Sequence, residues 1–174
     1  MSSSARLLLR ELGRRQFQLL TVESCTGGLL ASRLTDVPGS SAVFWGGLVT
    51  YHNDAKVTVA GIAARTVVRY GAVSAETARA LATSGLGKLR RATRGRIGPR
   101  GWIALATTGI AGPGGGSARK PVGVCFLAVA LAEGRGKARF FVREIRAPRG
   151  AARASNKRYF AEAALKLAGE VLSP

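Results

Sequence analysis

Residues Leu19–Leu30, LLTVESCTGGLL, decide how the chain is read. An apolar, strand-like run stops on the polar cluster Glu23-Ser24-Cys25-Thr26 and restarts as a helix. Strand, turn and helix in that order open an α/β unit. Ser24 falls at the junction, beside a helix N-terminus whose backbone N–H groups lack partners and whose dipole is positive. The position suits a nucleophile or an anion site, and it equally suits a plain N-cap. Gly27 and Gly28 each cost about 1 kcal/mol in a helix interior, but they let a ligand approach the backbone of a first turn.

On either side of this unit the pattern alternates. Leu7, Leu8 and Leu12 stripe a first helix over 3–14, and 16–23 reads as the strand. The helix over 25–35 stops before the Val37-Pro38-Gly39 turn. A strand follows at 45–51, with Gly46 and Gly47 marking a close approach. A short helix capped by Asn53-Asp54 begins near Ala55, another runs over 62–70 up to Gly71, and Ser74 caps a long one to about Arg91. The run 102–107 reads as a buried strand ending in a glycine-rich loop, TTGIAGPGGGSARKPVG, over 107–123. Strands at 124–132 and 138–145 form a hairpin around Gly134–Gly136, and 150–172 is an amphipathic tail helix. Early alternation with a late hairpin predicts a three-layer α/β/α sandwich with a mixed, mostly parallel sheet.

With 174 residues and 47% hydrophobic content, the chain can bury one sizeable core and is expected to form a single domain over 1–174. Cys25 and Cys125 make no disulfide framework, and the single histidine, His52, cannot build a zinc site unaided. No run reaches the roughly 20 apolar residues of a membrane span, so no membrane association is expected. MSSSARLLLRELGRRQF is Arg- and Ser-rich like a transit peptide. It leads at once into a strand, and an ordinary first helix in a cytoplasmic protein is the expectation. The net charge is +18, from 27 basic and nine acidic residues, and such a field attracts polyanions. Its densest cluster, KLRRATRGRIGPR from Lys88 to Arg100, has no interleaved aromatics to stack bases. It reads as a solvated basic loop with non-specific polyanion binding as its candidate role.

Three polar clusters follow strand ends, where open α/β sheets bind ligands. They are 23–26, 50–56 and 107–109. A serine nucleophile needs a base, and the second cluster offers His52 for a triad or Lys56 for a Ser–Lys pair. Tyr51 can orient either one. Cys25 is an alternative nucleophile, though a small buried cysteine more often packs. For Lys56 to act as a base, its pKa must fall by roughly three units from about 10.4, against a cost of about 4 kcal/mol. A helix dipole supplies only about 0.3 to 1 kcal/mol, so burial has to do the rest. The pair further requires the Lys56 amine about 2.6 to 3.2 Å from the Ser24 hydroxyl, or somewhat farther without ligand. The loop over 109–121 matches neither a P-loop nor GxGxxG. Its amides can still form an anion nest, with Arg119 and Lys120 as phosphate partners.

In order, TVESCTGG at 21–28, PGSSAVF at 38–44, GGLVTYHNDAK at 46–56, YGAVS at 70–74 and TTGIAGPGGG with KPVG within 107–123 resemble the CinA C-terminal family. The characterised activity of that family is nicotinamide mononucleotide (NMN) amidohydrolysis. The resemblance covers nearly the whole chain, and the ESCTGG and GIAGPxGG blocks are specific as a pair. It implies an α/β/α fold and a hydrolase that converts NMN to nicotinic acid mononucleotide and ammonia. No cofactor or metal is implied. On matching positions it implies Ser24 as nucleophile, Lys56 as base and Tyr51 as their partner. Thr26, Gly27 and Gly28 are implied for the oxyanion or phosphate. Thr108, Gly109 and the Gly112–Gly116 loop, with Gly114 and Gly115, are implied as pocket wall, and Lys120, from the loop reading above, remains a candidate substrate contact. Longer family members carry an N-terminal domain, so a stand-alone amidase is expected, with homo-oligomerisation left open. Asn156 and Arg158 are expected on the surface of the tail helix, with reach into the pocket as the alternative. A catalytically retired, basic nucleic-acid-binding or regulatory module is the alternative, as is an amidase for another amide-bearing nucleotide.

Overall fold

The computed structural model of the protein describes residues 3–93, 99–134 and 136–173. Helix α1 (Ser3–Arg15) leads into β1 (Phe17–Glu23), α2 (Leu29–Thr35), β2 (Phe44–Val49), α3 (Asn53–Thr58) and α4 (Ala64–Tyr70). Then come α5 (Ala75–Ala92), β3 (Gly101–Gly109), β4 (Val124–Glu133), β5 (Arg139–Arg146) and α6 (Arg153–Leu172). The five strands form one sheet in the order β2-β1-β3-β4-β5. β1 pairs parallel with β2 and β3, while β4 pairs antiparallel with β3 and β5. Four strands therefore share one direction and β4 alone opposes them, giving the mixed, mostly parallel sheet expected from the pattern.

Helices cover both faces. On one side α1, α2 and α6 bury Leu8, Leu12, Leu34, Phe160 and Leu165 against Leu19, Ile103, Leu105 and Leu127. On the other, α5 buries Ala78, Leu81, Ala82 and Leu89 against Leu20, Val22, Ala104, Ala106, Ala128 and Ala130. Neighbours along each strand thus point to opposite cores. The central strands read as continuous apolar runs because both of their faces are covered. Alanines dominate the α5 side, and Gly85 exploits them. A Cβ at Gly85 would lie 2.8 Å from Val22 and 3.0 Å from Leu20, so the helix lies directly on the strands.

Two expectations change. Helix α2 begins at Leu29, not Cys25, because Gly27 and Gly28 take φ values of 60° and 91°, a left-handed backbone that no α-helix accommodates. Residues 24–28 are therefore a turn that carries Ser24 across the end of the sheet. The basic stretch is also not simply a loop. Lys88, Arg90 and Arg91 continue α5, and the Arg90 guanidinium sits 5.2 Å over the Trp102 ring. Arg94 and Arg96, within the same expectation, lie outside the described residues. No helix among the described residues is long and apolar enough to cross a membrane.

Candidate active site

The parallel strands β1, β2 and β3 end together, and the turns leaving them build the site. Ser24 follows β1 and is anchored by its own N–H, which donates to the Thr107 carbonyl on β3 at 3.0 Å. The cap of α2 is Glu23, not Ser24. The Glu23 side chain is wholly buried and accepts three backbone N–H groups, from Gly28 and Leu30 at 3.0 Å and from Ala31 at 2.8 Å. A carboxylate on those otherwise unpartnered donors suits the positive end of the helix. The Ser24 hydroxyl makes no hydrogen bond among the described residues, and it opens into a cavity of about 260 Å³.

Lys56 on α3 reaches the same cavity and is 1% exposed. Its Nζ donates to the carbonyls of Thr50 and Tyr51 at 3.0 and 3.1 Å. Burial pushes the Lys56 ammonium below its ordinary pKa, opposed by charge on the nearby Cys25 sulfur, which pulls it up. The burial required of a lysine base is thus present. The direct Ser24–Lys56 hydrogen bond is not, since both Nζ contacts go to main-chain carbonyls.

Tyr51 follows β2. Its ring is largely exposed, and its hydroxyl accepts from Arg153 Nη2 at 2.7 Å. Arg153 Nη1 donates to the Gly112 carbonyl at 2.5 Å, so one guanidinium ties the β2 turn to the glycine-rich loop. Thr108 Oγ1 donates to the Ala72 carbonyl at 2.6 Å and fixes the α4–α5 connection, whose Ala72 and Val73 form another wall. Thr108, Gly109, Gly112, Gly114 and Gly115 all line the cavity. The N–H groups of Gly112, Gly114 and Gly115 make no hydrogen bond among the described residues.

Other expected positions fall elsewhere. Thr26 is fully buried, its hydroxyl paired with that of Thr107 at 2.8 Å. The Gly27 N–H donates to the Ser24 carbonyl, and the Gly28 N–H to Glu23. Both are committed within the turn and are not free to hold an oxyanion or phosphate. Lys120 Nζ donates to the Tyr70 carbonyl at 3.1 Å, which braces the loop against α4 outside the cavity lining. Arg119 is exposed and does not line the cavity. His52, exposed, caps α3 by accepting the Asp54 N–H on Nδ1 at 3.3 Å. That removes it as a base for Ser24, and it replaces the Asn53-Asp54 cap expected from the sequence.

Asn53, from the polar cluster after β2, also lines the cavity, as does Arg153, which does not stand out in the sequence. Asn156, expected on a helix surface or in the pocket, is neither: it is 1% exposed, lies behind the cavity lining and donates from Nδ2 to the Ala111 carbonyl at 3.0 Å. Arg153 and Asn156 lie about one turn apart on α6 and hold consecutive carbonyls of the glycine-rich loop. Arg158 stays on the surface, bonded to Ser155. Among the described residues the lining contains no Asp or Glu, and its basic side chains are Lys56 and Arg153. Among the described residues there is no group of three or more His, Cys, Asp or Glu that could hold a metal ion.

Comparison with known proteins matches residues 1–172 to the family described as CinA C-terminal domain. A CinA-like protein of Chloroherpeton thalassium is 45% identical over 159 residues, 91% of this chain and 35% of that protein. The chain thus spans about a third of the length of such relatives. Among solved structures, a competence/damage inducible protein of Agrobacterium tumefaciens superposes with a TM-score of 0.80 at 36% identity, over 97% of this chain and 93% of that one. A competence-damaged protein (CinA) superfamily protein of Klebsiella pneumoniae gives 0.81 at 28% identity, over 98% of each.

Proposed function

Given that the chain belongs to the CinA C-terminal domain family, we propose that it is an amidohydrolase that removes ammonia from the carboxamide of NMN by a Ser24–Lys56 mechanism. The observation that carries this reading is a serine hydroxyl free of partners in the same acid-free cavity as a buried lysine. A neutral amine has two N–H groups and one lone pair. Thr50 and Tyr51 take up two donors, which matches the neutral form and leaves the lone pair available to the Ser24 proton. Lys56 accepts that proton as Ser24 Oγ attacks the carboxamide carbon. It then returns the proton to the departing nitrogen, which leaves as ammonia. Water hydrolyses the resulting ester by the same route and releases nicotinic acid mononucleotide.

The walls suit the rest of such a substrate. The unpaired N–H groups of Gly112, Gly114 and Gly115 and the remaining donors of Arg153 suit a phosphate. The pyridinium charge adds to the burial that keeps Lys56 neutral. A cavity of about 260 Å³ lies near the lower limit of small-molecule sites, roughly 300 Å³, which favours a mononucleotide over a dinucleotide.

The test is ammonia release from NMN, nicotinamide riboside and NAD by the purified chain. NMN turnover is expected to exceed that of both alternatives and to vanish in Ser24→Ala. Turnover no higher than the Ser24→Ala control sinks the proposal. Preference for the riboside removes the phosphate role of Arg153 and the loop.

A further inference from the structure

We propose that Cys25 and Cys125 are a redox modification site, closing to a reversible disulfide beside Ser24 when a hydroperoxide enters the cavity. The amidase mechanism uses neither thiol. Their sulfurs are 3.6 Å apart, and both are free and buried. Cys25 belongs to the turn after β1, whereas Cys125 is on β4, two strands away. They meet because Gly109 on β3, paired with Cys125 in the β3–β4 register, has no side chain to separate them. A Cβ there would lie 2.8 Å from both Cα and Cβ of Cys125.

The two thiols differ in access. Cys25 lines the cavity and is 4% exposed, whereas Cys125 is 0% exposed and does not line it. Burial and the neighbouring Cys25 sulfur push the Cys125 thiol up, which keeps it protonated. Oxidation therefore starts at Cys25. Its sulfur attacks one peroxide oxygen, the O–O bond breaks, and hydroxide leaves with the proton shed by the thiol, giving water and a sulfenic acid. The Cys125 sulfur then attacks the sulfenic sulfur. The S–O bond breaks, and the hydroxyl leaves with the Cys125 proton as a second water. Two thiols lose two electrons, and one peroxide becomes two waters.

Closing 3.6 Å to a bond of about 2.05 Å draws the sulfurs together by roughly 1.5 Å. The turn carrying Ser24 moves with Cys25, and a misplacement of about 1 Å can cost roughly a hundredfold in rate. This effect on turnover rests on the amidase reading. The pairing does not.

The experiment treats the reduced full chain with a small excess of hydrogen peroxide, counts thiols after denaturation and maps peptides. Two thiols falling to none, with a single peptide linking Cys25 to Cys125 and full recovery in dithiothreitol, is the expected result. Two surviving thiols, or Cys25 oxidised to a sulfinic acid with Cys125 untouched, overturns the proposal. NMN turnover is expected to fall roughly ten- to a hundredfold on oxidation and to return on reduction. Cys125→Ser is expected to keep basal turnover and not to form the disulfide. A disulfide that leaves turnover unchanged refutes the coupling to Ser24. A reduced chain with no NMN turnover counts against the amidase alone, since the thiol count and peptide map still decide the pair in the unsubstituted protein.

Discussion

Glu23→Gln separates the charge of the α2 cap from its shape. In the structure one carboxyl oxygen accepts the N–H groups of Gly28 and Leu30, and the other accepts that of Ala31. Glutamine can place its carbonyl oxygen where the first two donors converge. Its NH2 then faces the Ala31 N–H, donor against donor. One charge-assisted bond, worth about 1.5 to 3 kcal/mol, is lost outright, and the two retained bonds weaken because the acceptor is now neutral. The expected loss is about 2 to 4 kcal/mol, a large share of the roughly 5 to 15 kcal/mol that holds a domain together. Urea unfolding followed by circular dichroism checks it, read as a lower midpoint at unchanged slope. For a chain of this length the same loss lowers Tm by roughly 4 to 16 °C. A variant within about 0.5 kcal/mol of the parent would refute the claim that this carboxylate organises the turn. Unchanged NMN turnover in a destabilised variant would separate the cap from the position of Ser24.

Lys56→Met is expected to abolish amide hydrolysis and to lower Tm at neutral pH, because it leaves the Thr50 and Tyr51 carbonyls without their Nζ donors, a cost that removal of the buried amine only partly offsets; retained hydrolysis would contradict this. The Lys56 pKa is lowered on folding, so between its folded value and 10.5 the unfolded chain holds the extra proton. Stability therefore rises with pH across that window and is lost as pH falls through the folded pKa; the slope should vanish in Lys56→Met. Turnover, which needs the free amine, is expected to rise with pH through an inflection below 10.5, and a profile flat to pH 10 argues against a lysine base. Gly109→Ala places a Cβ 2.6 Å from the Val124 carbonyl, against backbone that cannot step aside, and is expected to cost about 1 to 3 kcal/mol together with activity, read by denaturation and ammonia release. Gly85→Val drives two further methyls toward Val22 and Leu20 and is expected to cost at least a similar amount, in contrast to Gly87→Ala on the same helix, which stabilises or is neutral in the same measurement.

What the sequence conveys follows the range over which its patterns act. β1, β3 and β4 announce themselves as apolar runs because both faces are covered, and α1 does so because Ala5, Leu8, Leu9 and Leu12 fall on one side of a helix. Ser24, Tyr51 and Lys56 sit in compact motifs at strand ends, so their meeting in one cavity is legible from topology. Glu23 is harder to read. An acid closing a buried strand looks like a polar intrusion until the turn folds its helix N-terminus back onto it. Arg153 and Asn156 are harder still, since nothing local to the tail helix says that one turn of it reaches carbonyls more than 40 residues upstream. Helix α2 starts later than its sequence suggests for a conformational reason. Gly27 and Gly28 look like helix residues of low propensity, whereas they supply the left-handed steps that let the chain turn before the helix starts.

That turn also bears on why Ser24 and Lys56 are not already hydrogen-bonded. A serine serving as helix cap would have its hydroxyl committed to a backbone N–H. With Glu23 saturating three of those donors, Ser24 is relieved of capping and keeps a free rotor. Lys56 is held in the opposite manner, its Nζ fixed by two carbonyls of the β2 turn. On the proposed mechanism the mobile partner is thus the nucleophile and the fixed partner is the base. Rotation about a single Cα–Cβ bond redirects the Ser24 hydroxyl, whereas moving Lys56 would break two buried hydrogen bonds. Substrate that fills the cavity therefore needs to orient only one light group, and the cost of holding the amine buried is met by the fold before the substrate arrives.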